Sequence, residues 1–399
     1  MNNLRFALPI AMVMALVPLA LDLYLPAMPA MALDFNVGAD DIATTISLFV
    51  LGVALGQLVG GPLSDRLGRR TVILSGLVAF SASSLVIMMA DVLWVAQLAR
   101  FAQAIGGGFT AVCIPALIRD RAVGVEAAKL FSLVGLIMIA VPALAPSVGA
   151  LILQLSDWRS IFAVLSIAAV LMMLIIWRVL PRRGPAVDPV ATPTPVLKRY
   201  LHVLRQRNAR RYLATQALAF SVMVVFITNA SFIYQAYFGV SERTFGLLFA
   251  ANIVMLAVLN RINSWQLNVR SPETMLNLAL CLQLAAVATL VSTLAFDPPL
   301  WLVAGCIIFT VGSHGMIVPN SGALYMSCFD RHTGSASAFL GASQYLLAGL
   351  AGGLSTQLHN DTLWPVALIM LSLSFAANII LGKGQPADDE QLEVEASAP

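Results

Sequence analysis

The sequence predicts an all-α integral membrane protein with twelve transmembrane helices arranged in two six-helix halves. Of its 399 residues, 59% are hydrophobic and only 11% are charged, and the mean hydropathy is +0.86. In soluble domains roughly a quarter of the residues are charged. A bilayer core about 30 Å thick is crossed by roughly 20 helical residues. A chain of this length with short loops therefore has room for twelve crossings.

Twelve apolar segments can be placed along the chain. The first six cover residues 6–31, 42–63, 71–90, 93–118, 128–154 and 158–180, and the second six cover 211–238, 244–263, 274–296, 299–326, 333–357 and 362–382. Residues 181–210 are rich in proline and basic side chains and form the expected linker. The predicted units are thus residues 1–180, the cytoplasmic linker, residues 211–384, and a disordered acidic tail over 385–399.

The distribution of lysine and arginine predicts the orientation in the membrane. If the N-terminus is cytoplasmic, the basic clusters at residues 66–70, 119–129 and 178–211 are all cytoplasmic. Of the 23 basic residues, only Arg159 and Arg243 then fall on the periplasmic side, and Arg100 lies inside a span. The positive-inside rule therefore places both termini in the cytoplasm of a bacterial cell, with the chain in the inner membrane. The first apolar run is too long for a signal peptide and is expected to be retained.

Several function classes are disfavoured by the sequence. The basic residues lie in short loops without interleaved aromatic residues, so no nucleic-acid partner is expected. The four cysteines, Cys113, Cys281, Cys306 and Cys328, lie far apart and suggest neither a metal site nor a disulfide framework. We find no nucleophile with a base and no phosphate-binding loop, so neither an enzyme nor a cofactor is expected. The expected form is a monomer in the lipid bilayer.

Asp22 and Arg100 are the ionisable residues placed deepest in the predicted spans. An ionisable group in hydrocarbon is unfavourable unless it is paired or faces water. Asp22 lies roughly 25 Å along the first helix from Arg5, and Arg100 about 10 Å from the turn near Asp91, so the two are expected at similar depth. The prolines at 9, 18, 26 and 29 are expected to break the first helix repeatedly. A proton-coupling pair is favoured over a purely structural ion pair. Tyr24 and Gln103, close to this pair, are predicted to line the substrate cavity.

The loop after the second span reads GPLSDRLGRR. Gly61, Asp65, Arg66, Gly68, Arg69 and Arg70 form a predicted conformational latch, in which the charged side chains contact helix ends. The alternative is a solvated turn that only follows the positive-inside rule.

Polar residues in the second half could line a substrate cavity. The candidates are Asn229, Tyr234, Asn252, His314, Asn320, Gln344 and Tyr345. Each of them, taken singly, is better explained by a hydrogen bond between helices. His314 could also relay protons, although a packed histidine is favoured.

Three motifs resemble those of the major facilitator superfamily. The GPLSDRLGRR loop resembles its signature between helices two and three, and LARFAQAIGGG (98–108) resembles its R-x-x-Q-x-x-G element. GLIMIAVPALAPSVGALI (135–152), with Gly135, Pro142, Pro146 and Gly149, is similar to the antiporter motif of its drug exporters. Together with LDLYLPAMPAM (21–31), RDR (119–121) and DWRSIF (157–162), the motifs are most similar to the bicyclomycin/chloramphenicol resistance family of drug:proton antiporters.

This resemblance implies an exporter with the superfamily fold, a helix-one acid at Asp22 and a helix-four arginine at Arg100. The sequence departs from the family pattern in two places. The second-half counterpart of the loop is degenerate, reading LNRINSWQLNVRSP (259–272). In the antiporter motif, Ser147 and Ala150 stand where glycine is common. The expected function is proton-coupled efflux of drug-like small molecules by alternating access. Export of a metabolite, nucleoside, sugar or siderophore remains an alternative, as does an import symporter.

Overall fold

The computed structural model describes residues 3–120, 124–180, 205–329 and 333–382. Most of the predicted linker and all of the predicted acidic tail lie outside the described residues. The described residues are almost entirely helical and contain no β-strand. The predicted all-α fold is therefore confirmed.

The first six spans contain seven α-helices. Span 1 comprises Asn3–Asp22, a 3-10 turn over Leu25–Ala27 and Met28–Phe35; spans 2 to 6 are Ala39–Leu67, Arg69–Met88, Leu93–Arg119, Gly124–Leu155 and Trp158–Val179. The last six spans begin inside the range predicted as linker. Span 7 comprises Arg207–Ser231 and a π-helical turn over Phe232–Tyr237, spans 8 and 9 are Glu242–Gln266 and Pro272–Thr293, span 10 comprises Leu300–Gly312 and His314–Ser327, and spans 11 and 12 are Thr333–Gln357 and Trp364–Gly382.

Eleven of these spans are long and apolar enough to cross a membrane within the described ranges. Span 11, Thr333–Gln357, is the exception because its glycine, serine and glutamine residues lower its hydropathy. It packs against spans 2 and 7 rather than standing in lipid on all sides. Small and weakly polar residues are favoured where membrane helices pack closely, so its composition matches its position.

The prediction that the prolines break span 1 repeatedly is wrong. Pro9 and Pro18 lie inside the continuous helix Asn3–Asp22, and the only interruption in the described part of the span falls at residues 23–27, just before and around Pro26. A proline removes one backbone hydrogen bond, and membrane helices tolerate this loss where neighbouring helices or local adjustments compensate.

Connections alternate between the two ends of the bundle. At one end, named the 1–2 face because spans 1 and 2 connect there, Arg159 contacts Asp34 at 2.5 Å and Asp91 at 3.7 Å. Asp34 lies in the last turn of span 1, Arg159 lies in the first turn of span 6, and Asp91 follows span 3. At the opposite end, the 2–3 face, Arg69 reaches Asp120 at 3.4 Å. Each end of the first six spans is thus held by charged side chains that lie at or next to the ends of several helices.

The first and last six spans meet mainly through two helix pairs, span 2 with span 11 and span 5 with span 8. Glycines, which carry no Cβ atom, allow the helices of each pair to approach closely. A Cβ on Gly246 of span 8 would lie 2.9 Å from the Ser147 hydroxyl of span 5, and one on Gly349 of span 11 would lie 2.6 Å from Leu51 of span 2. Small-residue contacts of this kind are a common way to pack membrane helices.

Candidate transport site

Asp22 occupies the last residue of the first helix of span 1, immediately before the helix breaks. Its side chain is buried at 4% exposure, and its Oδ1 atom has no hydrogen-bond partner in the described structure. An ionisable residue inside a membrane span is unfavourable unless it is paired or faces water, so a buried carboxyl group without a hydrogen-bond partner marks a candidate functional position.

Arg100 of span 4 is fully enclosed, at 1% exposure. One terminal nitrogen donates to the Ala20 carbonyl at 3.1 Å, and the other donates to Gln103 Oε1 at 2.7 Å. Ala20 lies two residues before Asp22, so the prediction of similar depth agrees with the position of Arg100. The guanidinium binds the backbone of span 1, however, and makes no ion pair with Asp22 in the described residues.

Three aromatic rings surround the Arg100 guanidinium. Its central carbon lies 4.3 Å from the ring centroids of both Tyr24 and Phe49 and 5.6 Å from that of Phe162. A desolvated cation over aromatic faces gains about 2 kcal/mol or more. The rings belong to spans 1, 2 and 6, so one cation joins four helices.

Gln103 extends this network to span 3. Its amide nitrogen donates to Ser84 Oγ at 2.7 Å, and Ser84 donates onward to the Phe80 carbonyl at 2.7 Å. Tyr24 is fixed separately, because its hydroxyl bonds Thr45 Oγ1 of span 2 at 2.9 Å. The predicted residues Tyr24, Arg100 and Gln103 thus lie together in one network.

Consecutive glycines one turn farther along span 4 face different helices. A Cβ on Gly106 would approach Phe80 of span 3, one on Gly107 would lie 3.0 Å from Val17 of span 1, and one on Gly108 would lie 2.6 Å from the Val53 carbonyl of span 2. Span 4 is therefore packed against three helices without intervening side chains. This packing fixes Arg100 relative to span 1.

Three of the predicted second-half cavity residues form hydrogen bonds between spans. Asn229 donates to Ser355 of span 11 at 2.8 Å, and Asn320 donates to Asn263 of span 8 at 2.7 Å. Gln344 accepts from Gln216 of span 7 at 2.8 Å. Their amides are already used within the bundle.

Three other predicted residues are buried and carry polar atoms without partners in the described structure. The Tyr234 hydroxyl, both amide atoms of Asn252 and both ring nitrogens of His314 have no hydrogen-bond partner. Buried polar groups normally have a hydrogen-bond partner. Each of these atoms is therefore free to form a hydrogen bond with a water molecule or a ligand group. Tyr345 packs edge-on against Phe220 with 5.1 Å between ring centroids.

The charged loop at the 2–3 face forms a set of contacts around Arg69. Arg69 binds Asp65 at 2.7 Å and Asp120 at 3.4 Å and also donates to Ser64. Arg70 donates to the Trp177 carbonyl of span 6 at 2.9 Å. Gly68 has φ +86°, a backbone conformation that favours glycine. Gly61 faces spans 4 and 11, and Arg66 is exposed.

The residues of the predicted antiporter motif differ in their surroundings. Pro142 and Pro146 lie inside the continuous helix of span 5. Gly149 packs directly on the Leu23 carbonyl, beside the break in span 1, whereas Gly135 has no neighbouring atom that an added Cβ would touch. Of the motif's glycines, only Gly149 therefore permits a close helix contact near Asp22.

Sequence reasoning missed Phe49, Phe162 and Ser84. Phenylalanine in an apolar run carries no signal that separates a cation-binding ring from a lipid-facing one. Ser84 carried only a weak signal, as one of several serines in span 3.

A sequence profile of the Major Facilitator Superfamily matches residues 10–381. The fold agrees, because the structure of a D-xylose-proton symporter superposes with a TM-score of 0.76 at 16% identity, covering 97% of this chain and 98% of that one. The chain belongs to the major facilitator superfamily, and it is a multi-pass membrane transporter of small molecules rather than an enzyme.

The drug-resistance resemblance is also confirmed. A chloramphenicol resistance protein of Pseudomonas aeruginosa is 30% identical over 383 residues, covering 92% of this chain and 87% of that protein. A bicyclomycin resistance protein homolog of Haemophilus influenzae is 27% identical over 366 residues, covering 92% of each chain.

Proposed function

We propose that this protein exports drug-like small molecules across the bacterial inner membrane in exchange for protons. The observation that carries the proposal is the buried, unpartnered Asp22 carboxyl at the break in span 1. Its charge can change without breaking an ion pair. A titrating group inside the bundle is what coupling to a proton gradient requires. The resistance-related names of the relatives support drug-like molecules as the cargo.

In this mechanism Arg100 is a fixed charge and Asp22 is the group that titrates. The guanidinium is held by the Ala20 carbonyl, Gln103 and the aromatic rings, so it stays in place in both protonation states of Asp22. Because the two side chains make no ion pair in the described residues, the charge of Asp22 can change without disturbing the contacts of Arg100. Protonation from the periplasm then neutralises Asp22 and releases the cargo outward, and deprotonation toward the cytoplasm resets the site.

The two sets of six spans move relative to one another in this mechanism, as expected for units 1–180 and 211–384. The proposed orientation has both termini in the cytoplasm and the 1–2 face toward the periplasm, as the basic residues predict. Contacts around Arg69 at the 2–3 face then act as a latch that stabilises one state. The proposed functional unit is a monomer.

The test follows proton movement in proteoliposomes with chloramphenicol and bicyclomycin as probes. In the wild type, either probe should drive a pH change in the lumen. Asp22→Asn should abolish that change while the protein remains folded. The matched control is Asp297→Asn, which makes the same change at an exposed loop residue of positive φ that asparagine also tolerates. Undiminished coupling in Asp22→Asn would remove Asp22 from the mechanism.

A further inference from the structure

His359 joins the first and last six spans at the 1–2 face. It follows the C-terminal end of span 11, and its ring stands edge-on to Phe232 of span 7, with 4.3 Å between ring centroids. Its Nδ1 atom lies 3.3 Å from Oδ1 of Asp40 in span 2, and its Nε2 atom lies 3.3 Å from Oδ1 of Asp361 in its own loop. The imidazole ring therefore lies between a carboxylate of the other set of spans and a carboxylate of its own.

Both contacts of the ring are favourable together only when His359 is protonated. A neutral imidazole has one N–H group, so its other nitrogen turns a lone pair toward a carboxylate oxygen, whereas the imidazolium donates from both nitrogens. The His359 side chain is 9% exposed and its Nδ1 atom is buried, so little water reaches the side that faces Asp40. Asp361 is exposed, and the contact with Asp40 is therefore the less solvated of the two.

The helix ends at this contact favour the same two charges. Asp40 lies in the first turn of span 2, where the helix dipole stabilises a negative charge. His359 lies two residues beyond the end of span 11, where the dipole of that helix stabilises a positive charge. The contact thus joins opposite charges that are each favoured by their own helix, and it joins them across the boundary between the two sets of spans.

Two uncharged contacts also connect the two sets of spans at this face. Thr44 of span 2 donates to the Thr356 hydroxyl of span 11 at 3.5 Å, and Gln235 of span 7 donates to the Pro26 carbonyl of span 1 at 3.3 Å. Of these three contacts, only the imidazole–carboxylate contact joins ionisable side chains. Its strength can therefore change with pH while the other two stay the same.

The other charged groups that face this contact come from span 2, span 8 and the loop after span 11. Asp41 and Asp361 act on Asp40 through their charge. Glu242 and Arg243 of span 8 line a cavity that the N-terminal end of span 2 also lines, and their formal charges cancel. Span 7 contributes the aromatic ring described above. Histidine is the side-chain type among these whose ordinary titration range lies between pH 5 and 8.

We propose that His359 and Asp40 form a proton-operated lock between the two sets of six spans. Protonation of His359 from the aqueous phase at the 1–2 face holds this face closed, and loss of that proton favours its opening. The closed face gives the imidazolium two carboxylates and the open face gives it only that of its own loop, so protons favour the closed state. The lock rests on the alternating access of the proposed export function, but it depends neither on Asp22 nor on the cargo.

The test measures the separation of the two sets of spans by pulsed electron paramagnetic resonance in lipid nanodiscs. Spin labels are placed on Met89→Cys after span 3 and Phe296→Cys after span 9, because both residues are exposed at the 1–2 face. The background carries Cys281→Ser and Cys328→Ser, which replace the native cysteines that are not buried. It also carries Asp22→Asn, so that Asp22 cannot produce the response.

The ratio of the short (closed) to the long (open) distance should rise about 2- to 5-fold from pH 8 to pH 5, as expected for a partly exposed ion pair. A ratio that does not change with pH would overturn the lock. In His359→Gln the side chain can still form hydrogen bonds but cannot titrate, so the ratio should be the same at both pH values. In His359→Lys the positive charge is present at both pH values, so the closed population should stay high throughout.

The matched control is Asp361→Asn, which removes the carboxylate on the same side of the boundary as His359. Asp361 is exposed and has positive φ, which asparagine also tolerates. The pH response should remain in this control and disappear in Asp40→Asn. A full response in His359→Gln, or equal responses in the two asparagine variants, would overturn the lock.

The lock and the proposed export function can fail separately. If Asp22→Asn keeps full proton coupling in proteoliposomes while the pH response depends on His359, the role of Asp22 is refuted and the lock stands. If Asp22→Asn abolishes coupling while the pH response is independent of His359, the lock is refuted and the export function stands.

Discussion

Replacing Arg100 with lysine tests whether the shape of the guanidinium, and not only its charge, holds span 4 to span 1. The arginine uses two nitrogens to reach the Ala20 carbonyl and Gln103 at once, and its plane lies among aromatic rings. A lysine ammonium keeps the charge but is a compact donor without the planar fork. Losing one charge-assisted hydrogen bond removes about 1.5–3 kcal/mol, and weaker ring contact removes up to about 1 kcal/mol more.

We therefore expect Arg100→Lys to lower the free energy of unfolding by about 2–4 kcal/mol. The measurement is equilibrium unfolding in mixed detergent micelles, followed by near-ultraviolet circular dichroism. Arg270→Lys is the control, since Arg270 is exposed in the loop between spans 8 and 9. If the two lysine variants unfold with the same free energy, the bidentate geometry of Arg100 contributes nothing to stability, and the reasoning is refuted.

Three further changes test other contacts. Gly149→Ala should separate spans 1 and 5 or abolish folding, because the new Cβ would overlap the Leu23 carbonyl; detergent-extracted yield and thermal stability equal to the wild type would contradict this. His359→Ala removes a contact with Asp40 of span 2 at 3.3 Å, and because the Asp40 carboxylate is partly exposed we expect destabilisation by about 1 kcal/mol or less; a larger loss in equilibrium unfolding would mean that this pair is a main support of the 1–2 face. Arg69→Gln removes the charge shared by two carboxylates, and because the contacts are partly exposed we expect destabilisation by about 1 kcal/mol or less; a larger loss measured by equilibrium unfolding would mean that the latch is a main support of the fold.

The sequence predicted the fold well because the bilayer imposes strong constraints on length and hydropathy. Asp22 and Arg100 stood out for the same reason, since ionisable residues are rare in apolar runs. Their partners were not predictable. Helical rise gives the depth of a residue but not the direction in which its side chain points, and that direction brought Arg100 to the Ala20 carbonyl instead of to Asp22.

The polar residues of the last six spans also show that sequence does not give the direction in which a side chain points. Asn229, Asn320 and Gln344 bond neighbouring helices, whereas Tyr234 and Asn252 keep unsatisfied atoms. All five look alike as single polar residues in apolar segments, and only the packed neighbours separate them. The proline error has a related cause, since Pro9 and Pro18 are tolerated by tertiary context that a local rule does not include.

The weak hydropathy of span 11 has a consequence for biogenesis. A segment with so many glycine, serine and glutamine residues gains little from entering lipid by itself, so the translocon has a small driving force for releasing it sideways. Spans 2 and 7, which it packs against, precede it in the chain and therefore leave the ribosome first. Stable integration of this segment is therefore expected to depend on its contacts with those earlier helices.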